Sequence, residues 1–176
     1  MAQPKKLIQF KKLTHGYYTA YSMSRVGMKD LRASLLELEG LNPNGMFQIG
    51  AKDLNREAWS EIPTKLALAG MEIDGPFSQM IAQGVVAILY GLWEDHYRAQ
   101  IASELDCKKN ELACDLMGDL RRIRQWIVHA NGIADKNVTK LSVLSWPSKR
   151  GPIFLGSSEM AELQRAINTM TVEVRP

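Results

Sequence analysis

The chain has 176 residues and a mass of 19.8 kDa, is 45% apolar and 23% charged, and carries 22 basic against 19 acidic residues, a formal charge of +3. That composition excludes a disordered tail and fits one domain able to bury its own core, as chains of ~100–200 residues usually do. No apolar run approaches the ~18–20 residues of a membrane helix, and the opening MAQPKKLIQFKK lacks the apolar stretch of a secretory signal. The expected location is therefore the cytoplasm, with no membrane partner. Cys107 and Cys114 are too few for a disulfide framework and have no histidines at zinc-ligand spacing, so both are read as reduced thiols and no metal or cofactor is implied.

The charge is unevenly spread. Residues 1–29 hold Lys5, Lys6, Lys11, Lys12, Arg25 and Lys29 with no acid, and residues 121–150 hold seven basic residues against Asp135 alone. If the fold unites these stretches they form one phosphate-attracting surface; otherwise they are two solvated faces.

In chain order, Met28, Leu31, Leu35 and Leu38 recur at helical steps and predict a helix closing at Gly40, a natural C-cap. Residues 41–76 are broken by Asn42-Pro43-Asn44-Gly45, Gly50, Pro63 and Asp74-Gly75-Pro76, and read as an irregular insert. Within it, Asp53 is placed to cap a short helix carrying Trp59, which Pro63 interrupts before Leu66 and Leu68. The longest periodic segment runs from Phe77 to about Leu105, with Phe77, Ile81, Val85, Ile88 and Leu92 on one stripe. A second long helix is predicted from about Glu111 to His129 on Leu112, Leu116, Leu120, Ile123 and Ile127, stopped by Asn131-Gly132. Leu141 to Trp146 and Pro152 to Leu155 read as a small hairpin around a Pro147–Gly151 turn. Ser157 or Ser158 can cap a last helix whose stripe is Met160, Leu163, Ile167 and Met170. The sum is an all-α fold, an up-and-down bundle of four to five helices with one β-hairpin near the C-terminus, in a single domain.

Several site patterns are missing. Gly45 to Gly50 has the spacing that opens a phosphate loop, but Ala51-Lys52-Asp53 follows where Lys and Ser/Thr should stand. His-Glu-x-x-His, Gly-x-Ser-x-Gly and Gly-x-Gly-x-x-Gly are absent, so zinc peptidase, serine hydrolase and dinucleotide enzyme have no motif support.

The informative stretch is Arg121-Arg122-Ile123-Arg124-Gln125-Trp126-Ile127-Val128-His129-Ala130-Asn131. At ~100° per residue, Arg121, Arg122, Gln125 and His129 face away from the leucine/isoleucine stripe, and Arg124 and Asn131 share its flank. Gln125 stands four residues before His129, one turn away, where its amide can orient the imidazole. Arg124 and His129 are five apart, ~140° round an ideal helix, so they converge only if the arginine reaches round or the helix ends early. A histidine that moves protons beside a guanidinium that stabilises phosphoryl charge is a usable pair. The same residues equally suit a solvated helix end whose cations complement the macrodipole.

A second candidate is Trp93-Glu94-Asp95-His96-Tyr97-Arg98. Continued periodicity puts Asp95 on the apolar stripe and His96 at its other edge, so Asp95 needs a counter-charge from Arg98 or the next helix. An interhelical ion pair that fixes register is the plain alternative to catalysis here, and Trp93 and Tyr97 read as packing residues.

Together these segments resemble the HEPN superfamily of small helical-bundle proteins, many of them ribonucleases. Its signature is an arginine, commonly followed by asparagine, then four to six positions and a histidine near the end of a late helix. Arg124-Gln125-Trp126-Ile127-Val128-His129 matches with Gln125 in place of asparagine, and Leu89-Tyr90-Gly91-Leu92-Trp93-Glu94 resembles the Trp-Glu helix of a subgroup in bacterial defence and toxin–antitoxin loci. The resemblance covers about residues 77–132 well and the first helix loosely, and does not extend to the 41–76 insert or the hairpin. It implies a metal-independent RNA endonuclease acting as a homodimer, with Arg/His motifs of both subunits in a composite cleft and an antitoxin protein as a possible further partner. His129 would be the general acid/base for attack of the ribose 2′-OH, Arg124 would stabilise the phosphorane and Gln125 would orient His129 or the substrate. Glu94 and Asp95 would support catalysis, and Arg121, Arg122, Asn131 and Arg98 would hold RNA. Because some members bind RNA or proteins without cutting, a catalytically silent binding module is the alternative that Gln125 raises.

Overall fold

The structure, a computed structural model, describes residues 3–50 and 60–175. Asp53 and Trp59, and the short helix expected around them, lie outside the described residues. The fold is mainly helical, with small antiparallel strand pairs. It divides into two compact units, residues 1–21 with 81–176, and residues 22–80.

The helix expected from about Met28 is the second half of α1, which spans Lys5–Leu41. Its first half was hidden by charge. Leu7, Phe10 and Tyr21 are buried, and the apolar spacing between them is broken by Thr14, which is itself buried because its hydroxyl donates to the Lys11 carbonyl at 2.8 Å. In the second half, Leu35 is buried and Met28 partly so, whereas Leu31 and Leu38 are exposed, and the helix runs through Gly40 rather than stopping at it.

In the smaller unit the insert is ordered where it is described. Strands β1 (Met46–Ile49) and β2 (Ser60–Pro63) pair antiparallel, Met46 opposite Pro63, and α2 (Thr64–Gly70) follows directly. Pro63 thus ends a strand before a helix instead of interrupting one, a position where its missing N–H costs nothing. Leu35, Ala67, Leu68 and Met71 form the unit's core, with Met28, Phe47, Ile62 and Phe77 packed against it. Leu66 stays exposed.

In the larger unit, α3 (Pro76–Leu92) continues through a π-turn at Trp93–Tyr97 into α4 (Arg98–Glu104). The buried stripe is Ala82, Val85, Val86, Leu89 and Trp93, one step round from the expected Ile81, Ile88 and Leu92, of which Ile81 and Ile88 are exposed. Trp93 decides the phase: it is the largest side chain of the segment, is 2% exposed, and packs edge-on to Phe10 at 5.6 Å between ring centres.

Helix α5 (Asp115–His129) begins later than expected, because Leu112–Ala113, strand β3, pairs with a strand at Glu173–Val174. Leu116, Leu120 and Ile123 are buried as expected, with Trp126 completing the face. Asn131 and Gly132 turn left-handed, at φ 51° and 74°, and end the helix.

The expected hairpin of 141–146 with 152–155 does not form. Gly151–Pro152 pairs instead with Ile133–Ala134, strand β4, and so makes β5. The reason lies in two carboxylates that take the strand's donors. Asp119 of α5 is fully buried and accepts the backbone N–H groups of Ser142, Val143 and Leu144 at 2.7–3.1 Å, and Glu162 accepts that of Ser145 at 2.8 Å. The last helix, α6 (Ser157–Thr169), buries Met160, Leu163 and Ile167 as expected. Its N-cap is Gly156, not Ser157 or Ser158; Glu159 closes the first turn by accepting the Gly156 N–H at 2.9 Å, and the Ser158 hydroxyl donates to that carboxylate. The closing strand Glu173–Val174 is β6.

Asp119→Ala strands three buried N–H groups without an acceptor. At ~1–3 kcal/mol for an unsatisfied group, partly relieved by relaxation, the variant should lose about 3 kcal/mol in urea unfolding, and Asp119→Asn less. An unchanged midpoint for Asp119→Ala would contradict this.

Candidate functional site

Helix α5 turns its apolar face inward through Leu116, Leu120, Ile123 and Trp126, which leaves the opposite face to polar residues. Arg121, Gln125 and His129, four apart in turn, are exposed, and Arg122 is half-buried. Arg121, Arg122, Gln125 and His129 line one open groove of about 510 Å³, whose other side is Asp135, Asn137 and Lys140. Asp135 is tied up locally. It accepts the Asn137 backbone N–H at 2.8 Å and side-chain amide at 3.0 Å, and those bonds hold its carboxyl below the ordinary aspartate value.

A second groove of about 440 Å³ adjoins the first and shares Arg121, Arg122 and Lys140 with it. Its further lining includes Tyr90, Glu94, Arg98 and Arg175. Glu94 is clamped by two cations, the Arg98 guanidinium at 3.1 Å and the Lys109 ammonium at 2.9 Å. Burial alone pushes its carboxyl up, but the bonds and charges of Lys109 and Arg98 outweigh it and hold Glu94 below its ordinary value. Arg98 also donates to the Leu112 carbonyl at 3.0 Å, which anchors the clamp to the strand before α5. Burial first, then the charge of Glu94, pushes the Tyr90 phenol up.

The structure brings together Arg121, Arg122, Gln125 and His129 in one groove and Glu94 and Arg98 in the next, and it separates the rest. Arg124 does not line the groove of His129; its guanidinium lies 6.0 Å from the centre of the Tyr90 ring. The reason is that α5 runs unbroken to His129, so the early ending that would have let the two side chains converge does not occur. Gln125 and His129 share the groove without a hydrogen bond between them. Asp95 is exposed rather than buried, because it continues the line of Ile81 and Ile88, which faces solvent once Trp93 sets the phase of the helix. His96 is exposed too and pairs with Gln100 at 3.0 Å. Asn131 serves the helix terminus and lines neither groove.

Lys140, Asn137 and Arg175 were missed as groove residues. Lys140 had a signal, as one of the seven basic residues of 121–150; Arg175 had none, since only the β3–β6 pairing carries it to the groove. The basic residues of 1–29 line neither groove. Among the described residues, no three His, Cys, Asp or Glu side chains gather as a metal-holding group, and no helix is long and apolar enough to cross a membrane. The chain matches no protein-family model, no curated protein and no solved structure.

Glu94 links its depressed carboxyl to stability. A carboxyl whose folded value lies below its unfolded one stabilises the fold above the unfolded value, and that stabilisation is lost as pH falls through the folded one. Glu94→Gln should therefore cost stability at pH 7, with the difference from wild type closing below the ordinary value of 4.5. Urea melts at pH 7 and pH 3.5 check this, and an equal deficit at both would refute it.

Proposed function

We propose that this chain is a HEPN-like RNA-binding protein whose α5 groove grips the sugar–phosphate backbone. The observation that carries the reading is the run of Arg121, Arg122 and Lys140 through two adjoining open grooves. Among the described residues no carboxylate pairs with Arg121 or Lys140, and Arg122 is only 3.7 Å from an Asp119 already committed to three backbone N–H groups. Unneutralised cations along a groove displace counterions from phosphates, which is the main source of sequence-independent affinity for nucleic acid.

A second reading, metal-independent cleavage by a homodimer, is favoured by the exposure of His129 at the end of the same groove. There the imidazole would move the proton of the 2′-OH or of the leaving oxygen. Arg121 and Arg122 are the guanidinium groups placed to meet phosphoryl charge within one subunit, since Arg124 sits against Tyr90. A single imidazole serves poorly as base and acid together, so a second copy would supply the other.

Fluorescent single-stranded RNA should bind with an affinity that falls as salt rises from about 50 to 200 mM, and Arg121→Ala and Lys140→Ala should each lower the log–log salt slope by about 0.7. Salt-independent binding, or slopes unchanged in both variants, would overturn the RNA reading. For the second reading, RNA incubated in EDTA should yield 2′,3′-cyclic phosphate ends with wild type and none with His129→Ala. Cleavage that persists in that variant removes His129 from the chemistry.

A further inference from the structure

The smaller unit carries an open groove of about 800 Å³ that shares no residue with the grooves of α5. The second half of α1 forms one wall through Val26, Met28, Ala33 and Leu36, and Met71 and Ile73 stand across from it. Among the described residues no aromatic ring lines the groove, so its apolar surface is alkyl and thioether throughout. A cleft of this size, mostly apolar with a few polar groups, has the form of a small-molecule site. One of those polar groups has no partner. Ser78 of α3 lines the groove at 3% exposure, and among the described residues its hydroxyl makes no hydrogen bond. A helical serine ordinarily donates to the carbonyl three or four residues back. Here both carbonyls are engaged by Gln79, whose backbone N–H donates to Gly75 at 3.0 Å and whose side-chain amide donates to Asp74 at 3.2 Å. A wholly apolar occupant would strand the Ser78 hydroxyl, so whatever fills the groove must bring a hydrogen-bonding atom to it.

The charges narrow the chemistry of that atom. Arg25 is held by Asp74 at 2.8 Å and Arg32 stands 3.8 Å from Glu72, so acids of the unit already match both. Lys29 is the lining cation left over. Among the described residues it has no ion-pair partner, and the positions three and four away on its own helix, Arg25, Val26, Arg32 and Ala33, carry no acid. Lys29 lies one turn from Arg25, and Asp74, which pairs with Arg25, stands four residues before Ser78. One end of the groove thus offers an unpartnered hydroxyl and an unpaired ammonium. From Arg25 to Leu36 the helix rises about 16 Å, the extended length of a saturated chain of about a dozen carbons. A chain with its polar group at the tip brings that group to a hydroxyl this deep and lays its remainder along the apolar wall.

We propose that this groove binds a free long-chain carboxylate, its headgroup accepting from the Ser78 hydroxyl and the Lys29 ammonium, its alkyl chain lying along Val26, Ala33 and Leu36. Two carboxylate oxygens match the two donors, and the charged hydrogen bonds are the stronger kind. An alcohol head would meet Ser78 and leave Lys29 unmatched, and a cationic head would be repelled by Lys29. The absence of aromatic rings suits a flexible alkyl body, which needs no ring to stack on. The groove shares nothing with α5, so carboxylate binding and RNA binding stand or fall separately.

Calorimetric titration of the full chain with decanoate, kept below its micelle concentration, tests the site. Decanoate should bind at a single site per chain, 1-decanol about tenfold more weakly, and decyltrimethylammonium not measurably. Ser78→Ala should weaken decanoate about tenfold by removing a donor to a charged oxygen, and Lys29→Gln about threefold, since that ammonium is exposed. Lys29→Gln should leave 1-decanol unaffected. Ala33→Trp, on an exposed helical position, should fill the groove and abolish binding with circular dichroism unchanged. The chain should not sediment with phosphatidylglycerol vesicles; sedimentation that Ala33→Trp abolishes would assign the groove to a bilayer lipid and overturn the free carboxylate. No binding of decanoate by wild type overturns the proposal, as do equal affinities for decanoate and 1-decanol, an unchanged affinity in Ser78→Ala, or binding that persists in Ala33→Trp.

Discussion

A carboxylate without solvent contact is the constraint on which the larger unit turns. Asp119 is completely buried, and a charge so placed is tolerable only if hydrogen bonds replace the water it gave up. The backbone of Ser142 to Leu144 supplies three, so this segment wraps the carboxylate and cannot extend into a ladder. The consequence reaches the surface. Ser142, which donates the first of those bonds, and Lys140, two residues before it, are held along the groove of Glu94, while Leu144 and Trp146 are drawn into the core. One buried acid thereby fixes both the interior packing of residues 141–146 and the outer wall of the polar face.

The π-turn at Trp93–Tyr97 is the second such device. It lets Trp93 stay in the core beside Phe10 while Glu94 projects into the groove, where Arg98 and Lys109 close on it. With both carboxylate oxygens engaged, Glu94 organises cations and is not a free base. Its chemistry is to fix Arg98, which in turn reaches the Leu112 carbonyl just before α5. The interhelical ion pair weighed for this stretch was Asp95's, and the acid that is paired is Glu94, with Arg98 one turn on and Lys109 in the following turn segment.

What was legible in the sequence was whatever depended on period and local turn chemistry. Leu116, Leu120 and Ile123, the stop at Asn131-Gly132, and Met160, Leu163 and Ile167 follow from helical spacing and left-handed turn residues alone. What was not legible depended on partners remote in the chain. The phase of α3 was set by Trp93 meeting Phe10, and the 141–146 segment lost its donors to acids about twenty residues away, whereas the first half of α1 was masked locally, by Thr14 donating to the Lys11 carbonyl. The site divides in the same way. Arg121, Arg122, Gln125 and His129 share a face by spacing, whereas the pairing of Arg124 with His129 required a helix end that the fold does not supply.

A net charge of only +3 is no guide to the field at α5, because five acids of this unit have internal duties. Asp119 and Glu162 hold backbone N–H groups, Glu159 closes the first turn of α6, Asp135 folds onto Asn137, and Glu94 is shared between two cations. Asp119 has no exposed surface and Glu94 is matched by its two cations, while Arg121, Arg122 and Lys140 stand along open grooves where Asp135 is the acid facing them in the groove of His129. The field over a groove depends on which charges are left after internal pairing, and the sum over the chain counts paired and unpaired alike. A nearly balanced composition and a locally cationic surface are therefore consistent, and it is the hydrogen-bonding duties of the acids that reconcile them.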